Sequence, residues 1–347
     1  MKKLLVIRFS ALGDVAMTIP LIQSLALRYP DLHITVLSRK AFAPLFEQLP
    51  ANIHFITADL QGAHKGIKGL LRLFRSLKKQ HFEYVADLHH VLRTRFLRIC
   101  FQLHGVRTAR IDKGRSEKRA LTRKRCKVRK QLKTSFERYG EVFRRLGFDT
   151  GSEFTSIYEN KQPDISPITT LAGEKMPQKW IGIAPFAKHN GKIYPLERME
   201  EVVKTLHALN DTRIFLFGGG PKETAVLAGW EEKLPGVISL PGKLNMSGEL
   251  LLMNMLDVMI SMDSANMHLA SLVHTPVISV WGATHPWSGF MGWKQSEKNA
   301  IQTDLLCRPC SVFGDKPCYR KDYACLNEIK PGDIVERVNE LLQKNEC

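Results

Sequence analysis

The sequence predicts an α/β protein made of two doubly wound parallel sheets. Three observations carry that expectation. Short runs rich in Val, Ile and Leu, as expected of strands buried on both faces, alternate with segments of helical periodicity. The alternation runs from the N-terminus to about residue 150 and restarts near residue 180, beyond a Pro-containing stretch from Gly151 to Pro177. At 347 residues and 44% hydrophobic, the chain has the length and apolar content for two domains.

Leu4-Leu5-Val6-Ile7 reads as the first strand, followed by a polar loop ending in Gly13-Asp14 and a helix over Val15 to Leu27. Ile34–Leu37, Ile53–Ile56 and Tyr84–Asp87 repeat the strand signal, with helical patterns near Ala43–Gln48, Gly66–Lys79 and Arg93–Leu103. A helix resumes at Ser135–Leu146. In the second half, strands are expected at Trp180–Ala184, Arg213–Phe217, Val237–Leu240, Val258–Met262 and Val277–Val280. Helices are expected over Leu196–Leu209, Lys222–Leu234 and Ser247–Leu256. These signals divide the chain into domains 1–160 and 179–330 with a linker over 161–178. The amphipathic segment Pro331–Lys344 would close the chain by packing back on the first domain.

Charge narrows the partners. The formal net charge is +17, and between Val106 and Lys133 thirteen lysines and arginines stand against Asp112 and Glu117 alone. That stretch holds no Phe, Tyr or Trp, whereas binders of single-stranded nucleic acid interleave aromatic rings on which bases stack. Anionic lipid or the phosphates of an acceptor suit it better, with Arg107, Arg110, Lys113, Arg115, Lys118, Arg119 and Arg123 as candidates. A solvated loop without a partner is the competing reading, and a nucleic-acid-binding protein is the rival class. Arg8 and Asp14 interrupt the N-terminal apolar run, so no secretion signal is read, and no stretch of about 18 apolar residues is present to span a membrane. A cytoplasmic protein, peripheral at the inner face of the cell membrane, is expected.

Three stretches carry candidate chemistry. Val258–Ala270 runs from an apolar strand into Asp263-Ser264-Ala265-Asn266-Met267-His268, where the amides of a new helix could bind phosphate. Ala184–Pro195 is a polar loop after a strand end, the place where open parallel sheets bind ligands, and it carries Lys188 and Lys192. Asp14 stands after the first strand as a general base or as a helix-capping acid. Gly218-Gly219-Gly220 lacks the spacing of dinucleotide or P-loop motifs, so it is either a plain tight turn or a close approach for a nucleotide. Glu223 after it is a ribose acceptor or an ordinary first-turn acid.

Arg8–Pro20, with Gly13-Asp14 at its centre, resembles the opening motif of glycosyltransferase family 9, the lipopolysaccharide heptosyltransferases. Lys192-Ile193-Tyr194-Pro195 is similar to that family's Lys-x-Trp-Pro segment, Asp263–His268 to its Asp-Ser/Thr-Gly-x-x-His signature, and Gly219–Glu223 to its glycine turn followed by an acid. Tyr194 stands for the usual Trp and Ala265 for the usual Gly. The resemblance implies a GT-B architecture, two Rossmann-like domains facing across a cleft. It also implies inverting, metal-independent transfer of heptose from ADP-heptose to the inner core of lipopolysaccharide, with another nucleotide-sugar donor as the alternative. Under it Asp14 is the base, Lys192 stabilises the departing diphosphate and Glu223 holds the ribose. Asp263 and His268 position donor sugar and phosphate, and Ser264, Ala265 and Asn266 supply amides. No cofactor is required.

Cys307-x2-Cys310-x7-Cys318-x6-Cys325 begins like a zinc site, but its second pair is wider than in a standard ribbon. A structural zinc and four reduced thiols are both open. Cys100, Cys126 and Cys347 form no pattern.

Overall fold

The computed structural model describes residues 2–209 and 211–344; Cys347 lies outside them. Two compact units emerge, the first made of Met1–Lys113 and Lys133–Ile157, the second of Gly114–Leu132 and Tyr158–Cys347.

The first unit holds a five-stranded sheet of β1 (Lys2–Ile7), β2 (Leu32–Ser38), β3 (Ile53–Thr57), β4 (Tyr84–Asp87) and β5 (Arg107–Arg110), in the order β3-β2-β1-β4-β5. All pairings are parallel, with Val6 opposite both Val36 and Ala86. Leu4, Leu5, Val6 and Ile7 are completely buried, which explains a strand without alternation. The helix expected over Val15–Leu27 is two helices, α1 (Leu12–Ala16) and α2 (Ile19–Arg28). Pro20 sits in the first turn of α2, where its missing N–H costs nothing, so the chain breaks and restarts at Met17-Thr18. Helices α3 (Gly66–Lys78) and α4 (Leu92–Leu103) pack on the sheet through Leu73, Phe74, Leu77, Leu97 and Phe101.

Between β5 and the returning helix α6 (Ser135–Leu146), the chain passes into the second unit and forms α5 (Arg115–Thr122). This is folded structure, against the reading of a solvated loop. Leu121 and Leu132 are buried, Lys127 donates to the Pro309 carbonyl at 2.6 Å, Arg129 to that of Leu306 at 2.7 Å, and the Leu132 amide to that of Trp287 at 2.9 Å.

After α7 (Ser166–Ala172), inside the expected linker, the second unit builds a six-stranded parallel sheet. Its strands are β6 (Lys179–Ala184), β7 (Thr212–Leu216), β8 (Ile238–Ser239), β9 (Val258–Met262), β10 (Val277–Trp281) and β11 (Ala300–Gln302). Their order is β11-β10-β9-β6-β7-β8, and its helices are α8 (Leu196–His207), α9 (Pro221–Lys233), α10 (Met246–Met255), α11 (Ala265–Leu272), α12 (Ala324–Asn327) and α13 (Pro331–Lys344). In each sheet the strand order reverses beside the unit's first strand, between β1 and β4 and between β6 and β9, and these switch points are where such folds bind ligands. The apolar stripe of α13, expected against the first domain, enters the second unit's own core, where Ile334, Val338 and Leu342 join Met199, Val202 and Leu206. A hydrophobic stripe goes where it loses most water, and the open face of α8 offers that next to α13. No helix among the described residues is long and apolar enough to cross a membrane.

Candidate active site

At the switch point of the first unit, the loop leaving β1 is fixed by Arg8, whose side chain is 8% exposed. Its Nε donates to the Ser10 carbonyl at 2.9 Å, Nη1 to that of Leu88 at 2.6 Å, and Nη2 meets Asp14 Oδ2 at 2.9 Å. The guanidinium also lies 5.7 Å from the centre of the Tyr139 ring. Burial alone would lower the Arg8 pKa, but Tyr139, Asp14 and Asp87 outweigh it and hold the pKa above its usual value. Asp14 therefore has a fixed orientation in the third position of α1, where Oδ2 also accepts from the Ala11 amide at 3.0 Å. Both readings of Asp14 meet in one geometry, because it caps the helix and stands 31% exposed in the switch crevice.

From the other side of that crevice, β4 delivers Asp87-Leu88-His89-His90. His89 accepts from the Phe9 amide at Nδ1, 3.4 Å, which leaves Nε2 to donate to Ser10 Oγ at 3.3 Å. Burial first, then the charges of Arg8 and Lys113, pushes the imidazole pKa down to about 3, so the ring is neutral near pH 7. Asp87 accepts from the amides of His89 and His90 at 3.1 and 2.7 Å. Sequence reading missed Arg8 and His89; the available signal was a charged residue directly abutting an apolar strand and a His pair following a strand's closing Asp.

At the second unit's switch point, the loop after β6 tightens into a 3-10 turn over Asn190–Lys192, and Lys192 Nζ meets Asp263 Oδ2 at 2.7 Å. The side chains are 14% and 4% exposed, so this ion pair is largely shielded from water. Gly191 makes the approach possible: a Cβ there would stand 2.9 Å from both the Ala283 Cβ and the Gly314 carbonyl. Asp263 follows β9 directly, Ser264 is the N-cap of α11, and Ala265, Asn266 and buried His268 follow in its first turns. The Ser264 hydroxyl lies 3.2 Å from that of Ser261 and makes no capping bond, so the first-turn amides of α11 have no side-chain acceptor from their N-cap.

Glu223 stands in the first turn of α9 and accepts from the Gly219 amide at 2.8 Å, while Gly220 takes φ +83°, open to glycine at little cost. The acid thus braces the glycine turn. Tyr194 is fully buried and donates to the Ile329 carbonyl at 2.9 Å, so it serves the core behind the site rather than lining it.

The basic candidates do not form one group. Arg107 and Arg110 lie on β5 and Lys113 just beyond it, in the first unit; Arg115, Lys118 and Arg119 lie on α5 and Arg123 follows it, in the second. Arg110 meets His90 Nε2 at 2.5 Å, and Lys118 sits 4.3 Å from the centre of the Phe290 ring. A cavity of about 400 Å³ in the second unit is lined by Arg123, Lys124, Lys127 and Lys316. Among the described residues, no three His, Cys, Asp or Glu side chains stand together, as placed, as a ready metal-ligand set.

Comparison with known proteins gives a consistent answer. The family model for glycosyltransferase family 9 (heptosyltransferase) matches residues 70–318. The lipopolysaccharide core heptosyltransferase OpsX of Haemophilus influenzae is 25% identical over 301 residues, spanning 82% of this chain and 80% of that protein. The solved glycosyl transferase family 9 protein from Veillonella parvula superposes with a TM-score of 0.77 at 20% identity, covering 99% of this chain and 98% of its own. E. coli heptosyltransferase WaaC, solved with ADP-2-deoxy-2-fluoro heptose, gives 0.67 at 17% identity over 97% and 99% of the two chains. The two doubly wound units have the architecture of these GT-B enzymes.

Proposed function

Because the chain belongs to glycosyltransferase family 9, the heptosyltransferases, we propose that it transfers heptose from ADP-heptose to the inner core of lipopolysaccharide, with inversion and without a metal. The observation that carries this reading is the Lys192–Asp263 pair beside the first turn of α11. A cation held at a fixed point next to uncapped amides suits a nucleoside diphosphate. Support for the donor comes from the sugar nucleotide with which the E. coli enzyme was solved, and for the acceptor from the activity in the OpsX name.

In the proposed reaction an acceptor hydroxyl attacks the anomeric carbon from the face opposite the diphosphate. The new C–O bond forms as the old one breaks, the electron pair leaves with the diphosphate of ADP, and the hydroxyl proton passes to Asp14. Arg8 holds Asp14 by one oxygen and so orients the other. Lys192 and the amides of Ser264, Ala265 and Asn266 offset charge growing on the leaving group, and Asp263 keeps Lys192 in place. Glu223 holds the ribose, and His268 positions sugar and phosphate. Arg107, Arg110, Lys113, Arg115, Lys118, Arg119 and Arg123 meet phosphates of the acceptor or an anionic membrane surface on the cytoplasmic side.

The test is ADP release from ADP-heptose with heptose-free core as acceptor, in the presence of EDTA. Wild type turns over, and Lys192→Ala loses about a hundredfold or more in kcat. Inertness with ADP-heptose alongside turnover of another nucleotide-sugar would overturn the donor; abolition by EDTA would overturn metal independence.

A further inference from the structure

Between β11 and α12, from Thr303 to Tyr323, the chain forms no helix or strand. Its hydrophobic side chains reach the core only as half-buried Leu305 and Tyr323 packed against its edge, and the buried core itself resumes at Ala324. Segments this long without regular structure are uncommon in compact domains and need something other than apolar contact to fix them. Besides those of Pro309 and Ser311, the side chain that this one buries carries one positive charge, Arg308, with three half-buried cysteines beside it.

Cys307, Cys310 and Cys318 from this segment, and Cys325 from the first turn of α12, all line one cavity of about 10 Å³. That is room for a single small ion or water, not for an organic ligand. The four are free thiols, and their sulfurs as placed do not converge into a ligand set. Rotation between staggered χ1 wells swings each sulfur across so small a space. The wide spacing of the second pair, which argued against a ribbon, is taken up by the turn that brings the chain back into α12.

The second observation is Arg308, 4% exposed between two of these cysteines. Its guanidinium donates to the carbonyls of Gly282, Thr303, Trp281 and Thr284 and to Gln302 Oε1, every one a neutral acceptor. A charge buried among neutral partners lacks its counter-charge.

We propose that Cys307, Cys310, Cys318 and Cys325 form a structural site for one thiophilic cation, zinc or iron. On binding, each thiol releases its proton to solvent, and the excess negative charge of four thiolates around a divalent ion supplies what Arg308 lacks. The site acts on the segment, not on the reaction directly. The Cys310 and Ser311 amides donate to the Ala283 carbonyl at 3.0 and 3.2 Å, and the Ala283 amide to that of Gly191 at 2.8 Å, so the segment is tied to the backbone that presents Lys192.

Elemental analysis of the full-length protein, purified without chelator, should find about one zinc or iron per chain. Cys307→Ser and Cys318→Ser should each lower that content about tenfold, while Cys126→Ser, at an exposed cysteine outside the cluster, leaves it unchanged. Independently of any variant, titrating metal-stripped wild type with Co²⁺ should produce the thiolate-to-cobalt charge-transfer band of a four-sulfur site, saturating at one equivalent. Folded wild type that takes up neither zinc nor cobalt against a micromolar competitor overturns the proposal. So does mapping that finds these four cysteines in disulfides, or a metal content unmoved by both substitutions.

Discussion

Replacing Asp14 with Asn separates the two roles that its geometry combines. The amide oxygen of Asn still accepts from the Ala11 N–H, so the helix cap survives; the negative charge and the ability to take a proton do not. Structurally, the same oxygen, 2.9 Å from Arg8, remains as a neutral acceptor and the carbonyls of Ser10 and Leu88 are kept, but Arg8 loses its counter-charge. Turning an ion pair into a neutral hydrogen bond at a site whose carboxylate is 31% exposed should cost about 1–3 kcal/mol, below the roughly 3–5 kcal/mol of a fully buried broken pair. At about 2–4 °C per kcal/mol, the melting temperature falls by several degrees and the protein remains folded at 25 °C. If Asp14 is the base, kcat falls by about 10²–10⁴, a barrier increase of roughly 3–5 kcal/mol that no loss of folded protein reproduces. The assay is ADP release at saturating donor and acceptor, beside a thermal melt of the same sample. A variant that melts several degrees lower yet keeps more than about a tenth of wild-type kcat would show that Asp14 is a cap and an anchor for Arg8 only.

Two further outcomes follow from geometry elsewhere in the second unit. Burial raises the Glu249 carboxyl in α10 from 4.5 to about 7. Its folded pKa lies above its unfolded one, so the unfolded state gives up its proton first and stability falls as pH rises from about 4.5 through 7. Glu249→Gln should therefore melt like wild type near pH 4 and be more stable by about 2 kcal/mol at pH 8, allowing for partial exposure; equal melting at both pH values would refute it. Gly314 has φ +74°, and a Cβ there would lie 2.6 Å from Lys192 Cγ, so Gly314→Ala strains the turn and pushes the lysine out of position. A shift of about 1 Å is worth up to 10² in rate, and unchanged kcat/KM for the donor would show that Lys192 need not be held there.

The sheet centres were readable from sequence because the inner stretches of β1, β6, β9 and β10 are buried on both faces and therefore almost wholly apolar, with only the small Ser261 and Ser279 among them. The edges were not. β5 reads Arg-Thr-Ala-Arg, with only Ala109 buried, and β11 is three residues, two half-buried and one exposed; strands paired on one side need little apolar surface to persist. Likewise α5 looked like a charge run because its first-turn side chains face water, while Leu121 near its end is the apolar residue that docks it. Asp14, Lys192, Asp263 and His268 stood out because they follow strand ends in sequence. That His89 meets Ser10 and that Asp263 grips Lys192 depend on which strands are neighbours, and strand order is a property of the folded sheet.

The route of the chain has a practical consequence for taking the protein apart. It crosses between units at 113–114, 132–133 and 157–158, so no single cut separates them. A fragment ending at Ile157 carries out Gly114–Leu132 stripped of its seat, turning Leu121 and Leu132 into exposed apolar surface amid a dense field of positive charge. Such a fragment invites precipitation on any polyanion in an extract. A soluble first half calls instead for excising that excursion and joining Lys113 to Lys133 with a short flexible bridge, and the second half needs the excised piece supplied back to it.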